Sequence, residues 1–133
     1  MVYASTIHAV TGYLKDVQAK TNEPSNPVEF YGVTKCFGEA FCRYMSEKEG
    51  VPSIAVYVGA FQPHSTAQNK DSISMLDAWL SERDCIQLLE YCIDAPKDLK
   101  FGIVHGLSRN IFNRMDIEST RQLLSYELQD NFF

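Results

Sequence analysis

No stretch of this sequence approaches the roughly 18 continuous apolar residues of a membrane-spanning helix. The start, Met1-Val2-Tyr3-Ala4-Ser5-Thr6, has no basic segment and no long apolar segment, so no secretory signal is expected. Basic charge is scarce. Lys and Arg number 12 against 17 Asp and Glu, for a net charge of -5, and there is no basic run. Such a chain is poorly suited to gripping nucleic acid or an anionic membrane. None of the four cysteines, Cys36, Cys42, Cys85 and Cys92, forms a Cys-x-x-Cys pair. A zinc ribbon and a thioredoxin-type motif are thereby disfavoured, and thiols in a reducing cytoplasm are expected. His8, His64 and His105 share no metal-ligand spacing with one another or with nearby acids, so no metal site is expected. Repeats and low-complexity tracts are absent as well.

Apolar content is not lacking. At 45% hydrophobic, 133 residues are enough for one domain, 1–133, with a buried core. Val2 to Ser5 reads as a short strand. His8 to Pro27, with Gly12, Pro24 and Pro27, reads as a long loop. Phe30 to about Glu49 is helical in period, with Val33, Phe37, Phe41 and Met45 on one stripe and Gly50 as the stop. Gly38 inside that helix points to close packing against a neighbouring backbone. Pro52 to Phe61 is almost continuously apolar, as in a strand covered on both faces of a parallel sheet. Gln62 to Ser74 reads as a loop. A second helix starts at Ser81 with Asp84 in the capping-box position. Ile86, Leu89 and Ile93, with Leu88 and Cys92, supply its apolar face, and Pro96 ends it. Phe101 to His105 is a strand, and Asp116 caps a third helix reaching Leu124. Arg109 and Arg114, on either side of Phe112, read as surface residues. The final aromatics, Phe132 and Phe133, read as exposed. Helix alternating with buried strand gives an α/β class.

One pair of side chains carries chemistry. Tyr31 and Lys35 are four apart at a helix start and so share a face. A fixed ammonium beside a phenol stabilises phenolate and suits general-base work. Ser5 and Thr6 place hydroxyls at the end of the first strand, available to a substrate oxygen.

These residues, in order, resemble the extended short-chain dehydrogenase/reductases, the NAD-dependent epimerase/dehydratase family. The resembling segments are Val2-Tyr3-Ala4-Ser5-Thr6, Tyr31-Gly32-Val33-Thr34-Lys35-Cys36-Phe37-Gly38-Glu39-Ala40 and Val56-Tyr57-Val58-Gly59-Ala60-Phe61-Gln62-Pro63. Trp79-Leu80-Ser81 and Ser125-Tyr126-Glu127-Leu128-Gln129-Asp130 bring the likeness nearest to the uronate dehydrogenases. The resemblance implies a partial doubly wound, Rossmann-like parallel sheet of about three strands with flanking helices. It implies NAD as cofactor, Tyr31 as catalytic base, Lys35 on the nicotinamide ribose and Thr6 polarising the substrate oxygen. Ser5 and His8 would lie beside the substrate and Val58 against the nicotinamide.

Two departures qualify this. The seven glycines, at 12, 32, 38, 50, 59, 102 and 106, contain no Gly-x-x-Gly-x-x-Gly. Roughly the first hundred residues of the family pattern, which cradle the pyrophosphate, have no counterpart here. Second, the arginine that clamps the substrate carboxylate in uronate dehydrogenases is missing near Ser74, and Ala60 replaces a serine. Both changes weaken the case for a uronate. Three readings follow: a truncated relative that does not turn over alone, an active sugar or sugar-acid oxidoreductase whose cofactor half comes from another chain, or a non-catalytic interaction module. In each, the open flank of a half-sheet calls for a homo-oligomer or a partner chain.

Overall fold

The computed structural model describes residues 1–68 and 73–132; the side chains of 68 and of 73–75 lie outside the description. Three parallel strands form the main sheet in the order β1-β2-β5: β1 Val2–Thr6, β2 Ser53–Val58 and β5 Phe101–Gly106. Helix α1, Phe30–Glu49, crosses from β1 to β2. Val2 pairs with Ile54 and Thr6 with Val58, while Ser53 pairs with Phe101 and Val58 with Gly106. The three strands therefore end together, and their carboxyl ends define one edge of the molecule.

Strand β2 is buried on both faces, as its unbroken apolar run predicts. Alternation sends Ile54 and Val56 to one side, Ala55 and Tyr57 to the other. The run stops at Val58 rather than Phe61. Gly59 follows, at a position where a β-carbon would collide with the Ala78 carbonyl and Leu107. Ala60–Phe61 then forms β3, paired in parallel with β4, Trp79–Leu80.

The expected loop at Gln62 to Ser74 is corrected in part. It contains α2, His64–Gln68, and the start of α3, Ile73–Ala78. Pro63 opens α2: its carbonyl accepts the Ala67 amide at 3.0 Å. Ala67 is fully buried against Trp79 and Phe132. Phe132 is thus a core residue and not an exposed one, whereas Phe133 lies outside the described residues.

Helix α4, Glu82–Ile93, starts where expected: the Ser81 hydroxyl accepts the Asp84 amide at 3.0 Å. Its face is rotated from the expected one. Asp84, Leu88 and Cys92 are buried, but Ile86, Leu89 and Ile93 are exposed. Helix α1 shows the same inversion. Gly32, Glu39, Cys42 and Ser46 face the sheet, and Val33, Phe37 and Phe41 face outward. Gly38 does pack closely, but against the Tyr3 ring rather than a backbone. Helix α5, Glu118–Leu124, begins after Asp116, whose carboxylate accepts the Glu118 amide at 3.2 Å.

Candidate active site

A cavity of about 400 Å³ opens where β1 and β2 end, in the position open α/β sheets use for ligands. Ser5, Thr6, Ile7, His8 and Thr11 line one side, Tyr31 and Val58 to Ala60 another, and Asp77, Ala78 and Arg114 close it. Chain connectivity explains the grouping. Strand β1 leads directly into a 3-10 turn at Ile7–Ala9, and Thr6 caps that turn by accepting the His8 amide at 3.2 Å. An oxygen occupied as acceptor in this way keeps its own O–H for donation into the cavity. Gly32 lets α1 approach the turn, since a β-carbon there would meet the His8 carbonyl and Pro27. Tyr31 is carried to the cavity mouth by that approach, half exposed, its ring edge against His8 with centroids 5.6 Å apart.

Lys35 does not line the cavity. Its Nζ donates to the Ala4 carbonyl at 2.9 Å and lies 5.9 Å from the Tyr31 ring centroid and 5.3 Å from that of Tyr3. The ammonium is thus fixed next to the phenol by the backbone of β1. His8 Nδ1 is in direct contact with the Glu29 carboxylate, which orients its ring.

Ser5 lines the cavity, yet its hydroxyl is committed elsewhere. Ser5 and Tyr57 are register partners, so their side chains stand together on the α1 side of the sheet. Both donate to Glu39, Ser5 to Oε1 and Tyr57 to Oε2, each at 2.7 Å. Burial holds the Glu39 carboxyl above the ordinary carboxylate range, opposed by these two hydrogen bonds. The same burial and the Glu39 contact push the Tyr57 hydroxyl up. This triad locks α1 onto the strands that end at the cavity.

Arg114 corrects an expectation. It is a buried cavity residue, not a surface one, although Arg109 is exposed. Its Nη2 donates to the Tyr13 carbonyl at 2.8 Å, and its Nη1 lies 3.9 Å from Asp77 Oδ2. Sequence reasoning missed both members of this pair. They come from distant segments, which the Arg114 amide donating to the Asp77 carbonyl at 2.9 Å helps to join. The position near Ser74, where no arginine stands, falls among side chains outside the description.

These residues fit one end of a dinucleotide. Thr6, Tyr31 and Val58 converge at the strand ends with Lys35 behind them. Nothing in the 133 residues supplies the glycine cradle for a pyrophosphate. Among the described residues, no cluster of three or more His, Cys, Asp or Glu is arranged to hold a metal. No described helix is long and apolar enough to cross a membrane.

No family model matches the chain. It is 30% identical to an NAD-dependent glucose-6-phosphate dehydrogenase of Haloferax volcanii over 141 residues, covering 97% of this chain and 52% of that protein. It is 32% identical to a uronate dehydrogenase of Agrobacterium fabrum over 110 residues, covering 83% and 39%. A solved mutant uronate dehydrogenase of Agrobacterium tumefaciens, complexed with NAD, superposes with a TM-score of 0.86 at 30% identity, covering 98% of this chain and 47% of that one. The chain therefore spans about half the length of the proteins it matches. In sequence and in fold, it matches the uronate dehydrogenases and their NAD-dependent short-chain dehydrogenase relatives over that half.

Proposed function

We propose that this chain carries the catalytic, substrate-side half of an NAD-dependent oxidoreductase acting on a sugar or sugar acid, and that the 133 residues do not turn over by themselves. The observation that supports this most is the convergence of Thr6, Tyr31 and Val58 on one cavity at the ends of parallel strands, with Lys35 fixed behind Tyr31. Lys35 and Tyr31 would hold the nicotinamide ribose with Val58 near the ring, and the cofactor, when bound, supplies the acceptor for the carbon-bound hydrogen.

The chain's own residues do the rest. Thr6 donates its free O–H to the substrate oxygen and fixes it against Tyr31. The Tyr31 oxygen takes the hydroxyl proton, with the Lys35 ammonium held beside its ring by the Ala4 carbonyl. His8 flanks the substrate, with Glu29 holding its ring. Ser5, bound to Glu39, keeps β1 and α1 in register beneath the site.

The test joins the glycine-rich half of a uronate dehydrogenase upstream of Met1 and follows reduced nicotinamide by absorbance with sugars and sugar acids. The chain alone is expected to be silent and the fusion active. Tyr31→Phe in the fusion is expected to lower turnover by about 10²–10⁴-fold. A fusion that turns over equally well with Phe at 31 contradicts the assignment.

The outward apolar stripe supports self-association. Phe37 is 75% and Phe41 51% exposed on α1, and contiguous exposed aromatics mark an interface. A homo-oligomer through α1 is expected by light scattering, reverting to monomer in a Phe37→Glu, Phe41→Glu variant with unchanged helical content. A monomeric parent chain at working concentration contradicts it.

A further inference from the structure

The cavity contains a buried ion pair that the roles assigned to Thr6, Tyr31 and Lys35 do not use. Arg114 and Asp77 are each only 9% exposed, and both line the same wall. Their nearest charged atoms, Arg114 Nη1 and Asp77 Oδ2, are 3.9 Å apart. That is beyond hydrogen-bond reach, where N–H to oxygen distances run about 2.7–3.2 Å. The pair attracts across a gap without closing it.

From this geometry we infer that the Asp77–Arg114 pair selects an uncharged sugar, one of whose hydroxyls bridges the two side chains, over a uronate or a sugar phosphate. The inference rests on the sugar-site reading proposed above and narrows its substrate class. A hydroxyl is the group that fits such a gap, because it accepts from the guanidinium and donates to the carboxylate at once. Arg114 is also not arranged as a carboxylate clamp. A bidentate clamp presents two parallel N–H groups to the anion. Here Nη2 is already spent on the Tyr13 carbonyl at 2.8 Å and lies 3.4 Å from that of Thr11. The backbone bond from Arg114 to Asp77 holds the two segments together, and the guanidinium cannot turn away without losing its bond to the Tyr13 carbonyl.

Charge compensation points the same way. The wall is neutral as a pair, so a neutral ligand leaves no charge uncompensated in a partly desolvated site. A carboxylate or phosphate placed there faces Asp77 as well as Arg114. Burial holds the Asp77 carboxyl above its ordinary range, while Arg114 and the exposed Lys15 oppose that shift. Asp77 therefore sits poorly solvated already and tolerates a second anion badly. The cavity volume of about 400 Å³ falls at the small end of ligand sites, in keeping with a monosaccharide.

D-galactose and D-galacturonate make a matched pair of probes, differing only in a hydroxymethyl against a carboxylate at one carbon. Each is titrated into the isotope-labelled 133-residue chain, and amide shifts at Thr6, Asp77 and Arg114 are followed. Galactose is expected to bind at least about tenfold tighter than galacturonate. Asp77→Asn is expected to move that ratio about tenfold or more toward galacturonate. Equal or tighter galacturonate binding by the parent chain overturns the inference, whether or not the variant folds. So does a ratio that Asp77→Asn leaves unchanged. If neither sugar moves these amides, the sugar-site reading itself falls, and the selectivity falls with it.

Discussion

Asp84→Ala is expected to destabilise the chain by about 3 kcal/mol or more and to release its C-terminal segment. Asp84 is fully buried inside the first turn of α4. The capping-box reading gives its amide to Ser81, but its carboxylate has three other tasks. Oδ2 accepts the Ser108 hydroxyl at 2.5 Å and the Asp130 amide at 3.2 Å, and Oδ1 accepts the Gln129 amide at 2.9 Å. Hydrogen bonds to a charged acceptor contribute about 1.5–3 kcal/mol each, and truncation leaves the fully buried Ser108 hydroxyl without its acceptor. Ser108 in turn accepts the Ser81 amide at 2.9 Å, so the start of α4 loosens too. The tail also brings Phe132 onto Trp79, with ring centroids 5.7 Å apart. Urea unfolding and hydrogen exchange at Gln129 and Asp130 provide the readouts. A variant with the parent midpoint and protected tail amides contradicts this account.

The second large effect is acid sensitivity set by His105. Its ring is fully buried against the Tyr57 ring, centroids 5.2 Å apart, with Nδ1 2.7 Å from the Asp116 carbonyl and Nε2 without a hydrogen-bond partner among the described residues. Burial lowers its pKa from 6.5 to about 4, against the opposing effect of Asp116. The unfolded chain takes up a proton near pH 6.5, and the folded chain does so only near 4. Stability is therefore complete above 6.5 and is lost as pH falls toward 4, by up to about 3 kcal/mol. Glu39 and Asp77, with raised carboxyl values, act in the opposite sense over part of the same window. The difference between parent and His105→Gln isolates the imidazole. Denaturant midpoints of the parent are expected to fall more steeply below neutral pH than those of the variant. Parallel pH profiles contradict the assignment.

What the sequence disclosed follows from what sets each feature. Strand β2 was legible because it is enclosed on both faces, and an unbroken apolar run is the mark of that environment. The Gly50 stop of α1 and the Ser81 cap of α4 were legible because local backbone chemistry sets them. Tyr31 and Lys35 were legible because four-residue spacing on a helix is itself a geometry. The faces of α1 and α4 were not. Periodicity finds an apolar stripe but does not say what covers it. On α1, the sheet side is occupied by Gly32, Cys36, Glu39 and Cys42, and the aromatic stripe lies outside. The Asp77–Arg114 pair and the Asp84 network were hidden for a different reason. They join segments that only the folded chain brings together, and no spacing rule encodes them.

On the function proposed here, Thr6, Tyr31, Lys35 and Val58 form the nicotinamide end of a cofactor site. Calorimetric titration of the 133-residue chain with NAD+ and NADH tests it most directly, with a Tyr31→Phe, Lys35→Ala double variant as control. Weak binding is expected, because no glycine cradle holds the pyrophosphate, and the double variant is expected to lose it. No heat up to millimolar cofactor, or equal heat from the folded double variant, would contradict it.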